Sequence, residues 1–200
     1  MNPYYEADGI TIYHGDALEV LESLPAVGAV VSDPPYPNNA GHFVDGIAAA
    51  EEFCRTFLCE EWLVFWDELT RPPVPLPLVA VHVWHRTNSN RPDNYEPVYH
   101  FTAAGAHKAS RCFGYPVVYP GLTGCKEATG HPTQKSERLM QRLVGMTAGT
   151  VLDPFMGSGT TLVAAKNLGR KAIGIEVEER YCETAAKRLA QGVLDLGGVA

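Results

Sequence analysis

No apolar run in this sequence approaches the roughly eighteen residues that a membrane span requires, so no transmembrane helix is expected. The opening residues, Met1 to Glu6, lack a basic segment followed by an apolar stretch, which excludes a secretory signal there. Cysteine is sparse and unpatterned. The five residues (54, 59, 112, 125 and 182) form no Cys-x-x-Cys pair and are odd in number, which argues against a disulfide framework. Cys112 and Cys125 lie near His107 and His131, but at no recognised zinc spacing. Reduced thiols in a cytoplasmic protein without a metal are therefore expected. Basic residues are also in deficit: 16 Lys and Arg stand against 23 Asp and Glu, a net charge of −7. Such a balance opposes binding to nucleic acid. No internal repeat or low-complexity tract is present.

What the chain does have is enough apolar material for a core. At 200 residues, with 46% hydrophobic and 20% charged side chains, it suits one sizeable globular domain. The charge is unevenly spread. Residues 86–142 carry eight Lys and Arg against four acids, a net of +4, and the remainder carries −11. The central third can present a basic face on an acidic body.

Strand and helix patterns alternate, which predicts an α/β fold with a mostly parallel sheet. Strands are expected at 10–13, 28–32, 62–66, 150–152 and 171–175, with an antiparallel pair at 79–84 and 95–102. Helices are expected at 17–24, 43–58, 136–146, about 160–168 and about 178–190. The proline-rich stretch 71–77 reads as a connector, and 103–130 loses all periodicity and reads as a loop-rich insert.

Two motifs follow strands. Asp33-Pro34-Pro35-Tyr36 ends the strand at 28–32, where ligands collect in open α/β sheets. Its two prolines remove backbone donors and stiffen the turn. What remains is a carboxylate, carbonyls and an aromatic face, a set suited to an amino group on a flat ring. The second motif, Asp153 to Thr161, is a glycine loop between strand and helix, with Glu176 closing the next strand. Gly157 and Gly159 let backbone approach a ligand, the helix start favours an anion, and Glu176 is placed to accept from ribose hydroxyls. A P-loop would need lysine where Thr160 stands, and the dinucleotide fingerprint a glycine where Leu162 stands. The remaining reading is an adenosyl cofactor without pyrophosphate.

Taken together, the tetrapeptide and the Phe155-x-Gly157-x-Gly159 loop resemble the DNA amino-methyltransferases that use S-adenosylmethionine. The order, tetrapeptide first and glycine loop last, is similar to their circularly permuted β class. Tyr13-His14-Gly15-Asp16, the segment 95–101 and His131-Pro132-Thr133-Gln134-Lys135 also look like family segments. The resemblance spans roughly 10–102 and 130–190. It implies a Rossmann-like methyltransferase fold with helices on both faces and one antiparallel strand. It implies transfer of a methyl group to a flipped base in double-stranded DNA, N6 of adenine being favoured because an aspartate leads the tetrapeptide. By the same resemblance Asp33 and the Pro34 carbonyl hold the amine, Pro35 stiffens the turn, and Tyr36 stacks on the base. Asp153, Phe155, Gly157 and Gly159 form the main cofactor loop. Thr160, Thr161, Thr133 and Lys135 take the methionine carboxylate end, and Asp16 approaches the adenine amino group. Loop 37–42 is the candidate for closing over the base.

Only about 28 residues, 103–130, are left for reading a target sequence. A short or relaxed target is expected, or a dimer that shares recognition. Lys108, Arg111, Lys126 and Arg86 are the candidate DNA contacts, and Phe113, Tyr115 and Tyr119 either wedge or pack. Two features depart from the family: Trp84-His85-Arg86 lacks an acid–lysine pair, and Ser136 stands where proline is usual. The alternatives are an N4-cytosine methyltransferase and a catalytically idle cofactor-binding regulator.

Overall fold

A computed structural model describes residues 2–36, 40–67, 69–88, 94–118, 129 and 134–191, with residues 40–45 described as backbone alone. In chain order the strands are β1 (Tyr5–Ala7), β2 (Ile10–His14), β3 (Ala29–Ser32), β4 (Glu61–Phe65), β5 (Leu78–Arg86), β6 (Tyr95–Thr102), β7 (Cys112–Tyr115), β8 (Val151–Asp153) and β9 (Ala172–Glu176). The helices are α1 (Ala17–Val20), α2 (Ala40–Thr56), α3 (Glu137–Val144), α4 (Thr160–Asn167) and α5 (Glu179–Ala190). Among the described residues no helix is long and apolar enough to cross a membrane.

The strands make one nine-stranded sheet in the order β1-β2-β9-β8-β3-β4-β6-β5-β7. The five strands from β2 to β4 run parallel, and β6 is inserted in reverse between β4 and β5. The expected antiparallel pair is therefore β5 with β6. Two strands were not expected. β1 folds back on β2 through Asp8 and Gly9, both at positive φ, a two-residue hairpin turn. β7 extends the far edge beside β5, inside the region read as a loop-rich insert.

The chain leaves β8 for β9 in one direction along the sheet and leaves β3 for β4 in the other. Right-handed crossovers then put α4 and α2 on opposite faces. Helix contacts agree: α1 meets α2, while α4 packs against α3 and α5. With both faces covered, β3 and β8 are wholly buried, as continuous apolar strands require. Trp62, Phe65, Leu63, Phe53 and Phe101 fill the core around them.

Candidate active site

The strand order reverses between β3 and β8, and the crevice beyond their carboxyl ends is where such sheets bind ligands. Both motifs open there. Ser32, the last residue of β3, donates from its hydroxyl to Asp153 Oδ1 at 2.7 Å. Asp153, the last residue of β8, also accepts from Thr161 Oγ1 on α4 at 2.5 Å and from the Phe155 amide at 3.2 Å. These three donors satisfy a carboxylate that is 3% exposed. Burial still raises its pKa, to about 6, with Thr161 and Ser32 pulling it back. Asp153 and Thr161 thus clasp two strands and a helix.

The crevice is a cleft of about 460 Å³ lined by both motifs, Asp33 to Pro35 on one side and the loop 153–158 with Thr160 and Thr161 on the other. Its size lies in the usual range for small-molecule sites. Glu176, at the end of β9, accepts from the Gly157 amide at 3.0 Å and the Glu178 amide at 2.8 Å, and burial nevertheless raises its pKa. Asp16 caps α1 by accepting from the Leu18 amide at 2.8 Å and also lines the cleft. Gly157 at φ 51° brings bare backbone to the wall. An adenosyl group with a short anionic tail fits this donor set: carboxylates at Asp16 and Glu176 for hydroxyls and amines, and the α4 start for the anion. Gly159 serves a different purpose. It does not line the cleft, and a Cβ there would stand 2.6 Å from Ala185 Cβ on α5. Arg188, which sequence reading passed over, braces the same loop from α5, donating to Ser158 O at 2.6 Å, Thr160 Oγ1 at 3.2 Å and Glu137 at 2.7 Å.

On the other wall, Asp33 Oδ2 receives Lys135 Nζ at 2.5 Å. Asp33 Oδ1 is buried and has no hydrogen-bond partner among the described residues. Burial pushes the Asp33 carboxyl up, Lys135 pulls it back, and the net is a rise to about 6. Lys135, assigned from the sequence to the cofactor's carboxylate end, instead directs its ammonium to the tetrapeptide. It also reaches Glu96 Oε2 at 3.4 Å and lies over the Phe65 and Trp84 rings at 4.8 and 5.7 Å. Burial lowers its pKa, but the two carboxylates outweigh that and the net shift is upward. Glu96 binds Arg86 at 3.0 Å and accepts from the Tyr36 hydroxyl at 3.3 Å. Tyr36 is buried against Trp66 and does not line the cleft.

Two of the proposed DNA contacts already have partners. Arg86 holds Glu96, and Lys108 pairs with Glu61 at 2.5 Å. Glu61 also accepts from His100 Nε2 at 2.8 Å, and His100 Nδ1 meets His82 Nε2 at 3.1 Å. The Arg111 amide donates to His82 Nδ1 at 3.1 Å, so this buried chain ties the insert to the sheet. Arg111 itself is exposed. Thr133, His131, Lys126, Tyr119 and residues 37–39 of the closing-loop candidate lie outside the described residues, and the rest of that loop begins α2. Glu96 and Gln134, the latter buried in the cleft wall, were read from the sequence only as members of family segments with no role of their own, and Arg188 was not singled out.

Comparison with known proteins identifies the family. The family model described as DNA methylase, for N6 and N4 amino-methyltransferases, matches residues 79–187. The type II methyltransferase M.ScaI of Streptomyces caespitosus is 27% identical, with 94% of this chain and 83% of the relative covered. M2.LlaDCHI of Lactococcus lactis subsp. cremoris is 28% identical over 95% and 93% of the two chains. Among solved structures, M1.HpyAVI in complex with SAM superposes with a TM-score of 0.71 at 27% identity, covering 90% of this chain and 98% of that one. The cytosine-N4-specific PvuII DNA methyltransferase shares the fold at a TM-score of 0.70 and 19% identity, covering 98% of this chain and 90% of that one. The chain belongs to the N6/N4 family of S-adenosylmethionine-dependent DNA methyltransferases.

Proposed function

We propose that this protein methylates the exocyclic N6 of adenine in double-stranded DNA after the base has left the helix. One observation carries the reading: a buried carboxylate oxygen, Asp33 Oδ1, has no hydrogen-bond partner among the described residues and lies in the cleft that also holds the glycine loop. An exocyclic amine is a poor nucleophile because its lone pair is delocalised into the ring. Its nitrogen gains positive charge as the new N–C bond forms and the methyl donor's S–C bond breaks, with that electron pair left on sulfur, and the charged amine then loses a proton to water. Asp33 Oδ1 stabilises that charge by accepting an N–H bond, and the Pro34 carbonyl is assigned to the second. S-adenosylmethionine, when bound, supplies an electrophilic methyl group. Asp16 and Glu176 would hold its adenosine, Gly157 would leave it room, and the Thr160 hydroxyl would receive its anionic end. Tyr36, packed against Trp66, is assigned to the ring face of the base. The aspartate at position 33 favours adenine over cytosine. Residues 103–130 serve as the target-recognition insert of a single domain, and Arg111 is its candidate phosphate contact.

Incubation with tritiated cofactor and unmethylated genomic DNA, followed by nucleoside analysis, tests this. Label in N6-methyladenine is expected. Label confined to N4-methylcytosine overturns the base assignment, and tight cofactor binding with no labelled DNA overturns the activity. Asp33→Ala is expected to abolish transfer and leave cofactor affinity within about threefold, because Asp33 contributes through the amine alone.

A further inference from the structure

We infer that Lys135 is a positioning residue for Asp33, holding one carboxylate oxygen so that the other is left for the target amine, and that it is not a cofactor ligand. The inference rests on the reading of Asp33 as the amine acceptor.

The ammonium has three donors, and carboxylates face two of them. One meets Asp33 Oδ2 at 2.5 Å and a second reaches Glu96 Oε2 at 3.4 Å. The Phe65 and Trp84 rings cover the rest of the charge at 4.8 and 5.7 Å. The Lys135 side chain is 7% exposed, so this is a built socket. Pointing the ammonium at a cofactor carboxylate would break a buried ion pair and strand Asp33. Glu96 is fixed in turn by Arg86 at 3.0 Å and Tyr36 at 3.3 Å. Lys135 is therefore held from behind while it holds Asp33.

The division of Asp33 follows. With Oδ2 bound, the carboxylate cannot rotate, and Oδ1 keeps one direction. The pair also keeps Asp33 ionised against its burial; the groups facing it are Lys135, Glu96 and Arg86, with Asp153 and Tyr36 adjoining. A neighbouring cation lowers a carboxyl pKa by about 1–3 units. The ionised form is the stronger acceptor for the amine, and with Oδ2 taken by Lys135 a proton would fall on Oδ1.

The test uses the full chain with Lys135→Met and Lys135→Arg. Lys135→Met is expected to lower kcat by about 100-fold or more, the scale of a misplaced catalytic group. Cofactor Kd, from calorimetry, should stay within about threefold. Carboxyl-carbon NMR of Asp33, without DNA or turnover, should show its titration moving up by at least about one pH unit in Lys135→Met. In Lys135→Arg the charge is kept, so the titration should stay near wild type while kcat falls about tenfold or more, since a planar guanidinium cannot take the same seat. A cofactor Kd that worsens as much as kcat falls, in either variant, overturns the inference. So does an unmoved Asp33 titration in Lys135→Met. If melting curves show that Lys135→Met does not fold, Lys135→Arg decides by the same split. A wild-type protein that labels no DNA overturns the function and leaves the NMR titration to judge the pair.

Discussion

Gly159 separates two reasons for a glycine in a cofactor loop. Its φ is +79°, and a Cβ built there stands 2.6 Å from Ala185 Cβ and 3.3 Å from Ala185 Cα. Gly159→Ala therefore meets two costs. The left-handed backbone costs alanine about 1–2 kcal/mol. The collision with α5 adds about 1–3 kcal/mol, the range for overpacking a closed core. The total, about 2–5 kcal/mol, lowers the melting temperature of a chain this size by roughly 4–20 °C. Ala185→Gly alone should cost about 1 kcal/mol through helix propensity. In the double variant the 2.6 Å collision is gone, the 3.3 Å approach to the Cα of residue 185 stays, and the two backbone costs dominate, about 2–3 kcal/mol. Urea unfolding of the four proteins should show a favourable coupling of about 1–3 kcal/mol. Cofactor Kd, measured well below the melting point, should move less than about threefold, because Gly159 does not line the cleft. Additive costs within about 0.5 kcal/mol would refute the clash. A large loss of cofactor affinity at unchanged stability would refute the reasoning altogether.

Three other outcomes follow from the same geometry. Because the Asp33 pKa is raised to about 6 in the free protein and its ionised form is the better amine acceptor, kcat/KM should fall as pH drops through about 6; a flat kcat/KM profile from pH 5 to 8 contradicts this. Thr161→Val removes a donor from buried Asp153 and should destabilise the fold by about 1–3 kcal/mol. Asp153 titrates above its ordinary value, so its contribution is full below the unfolded pKa and is lost as pH rises through about 6. The Thr161→Val penalty should therefore be larger at pH 7.5 than at pH 5, and equal urea-unfolding penalties would sink the argument. Lys108→Met should leave the salt dependence of DNA binding unchanged, since Glu61 already neutralises that ammonium, whereas Arg111→Met should reduce the log–log salt slope by about one; the reverse result would show that the pairing yields to DNA.

Much of this architecture was legible because alternating strand and helix patterns punctuated by Pro25, the proline stretch 71–77 and Gly159 leave few topologies open. β1 was readable and missed: Asp8-Gly9 between Tyr4-Tyr5 and Ile10-Thr11-Ile12 is a strong hairpin signal. β7 was not readable, because Cys112 to Tyr115 is short, contains Gly114 and lies half exposed at an edge. In the site, Asp16, Asp33, Asp153 and Glu176 could all be found because each ends or follows a strand. The pairing of Lys135 with Asp33 and Glu96 could not. It depends on β6 running backwards, which brings Glu96, opposite Trp84 near the start of that strand, to the edge where the parallel strands end. No local pattern encodes that juxtaposition. Arg188 escaped notice for the same reason, since a helical arginine has many bland uses.

The sheet order carries a consequence for biosynthesis. β8 and β9 lie between β2 and β3, yet they come near the end of the described chain. Asp153 lies 121 residues after Ser32, which at about 5–20 residues per second takes a ribosome roughly 6–24 s to reach. Through that interval β2 and β3 each present an apolar inner edge with no neighbour, and the two halves of the sheet stay unjoined. The inner pairings of β2 with β9 and of β3 with β8 join segments distant in sequence, a topology that slows folding. A chain released early, before Glu176, would not yield a smaller enzyme. It would be two open sheets with sticky edges, matter for chaperones and proteases.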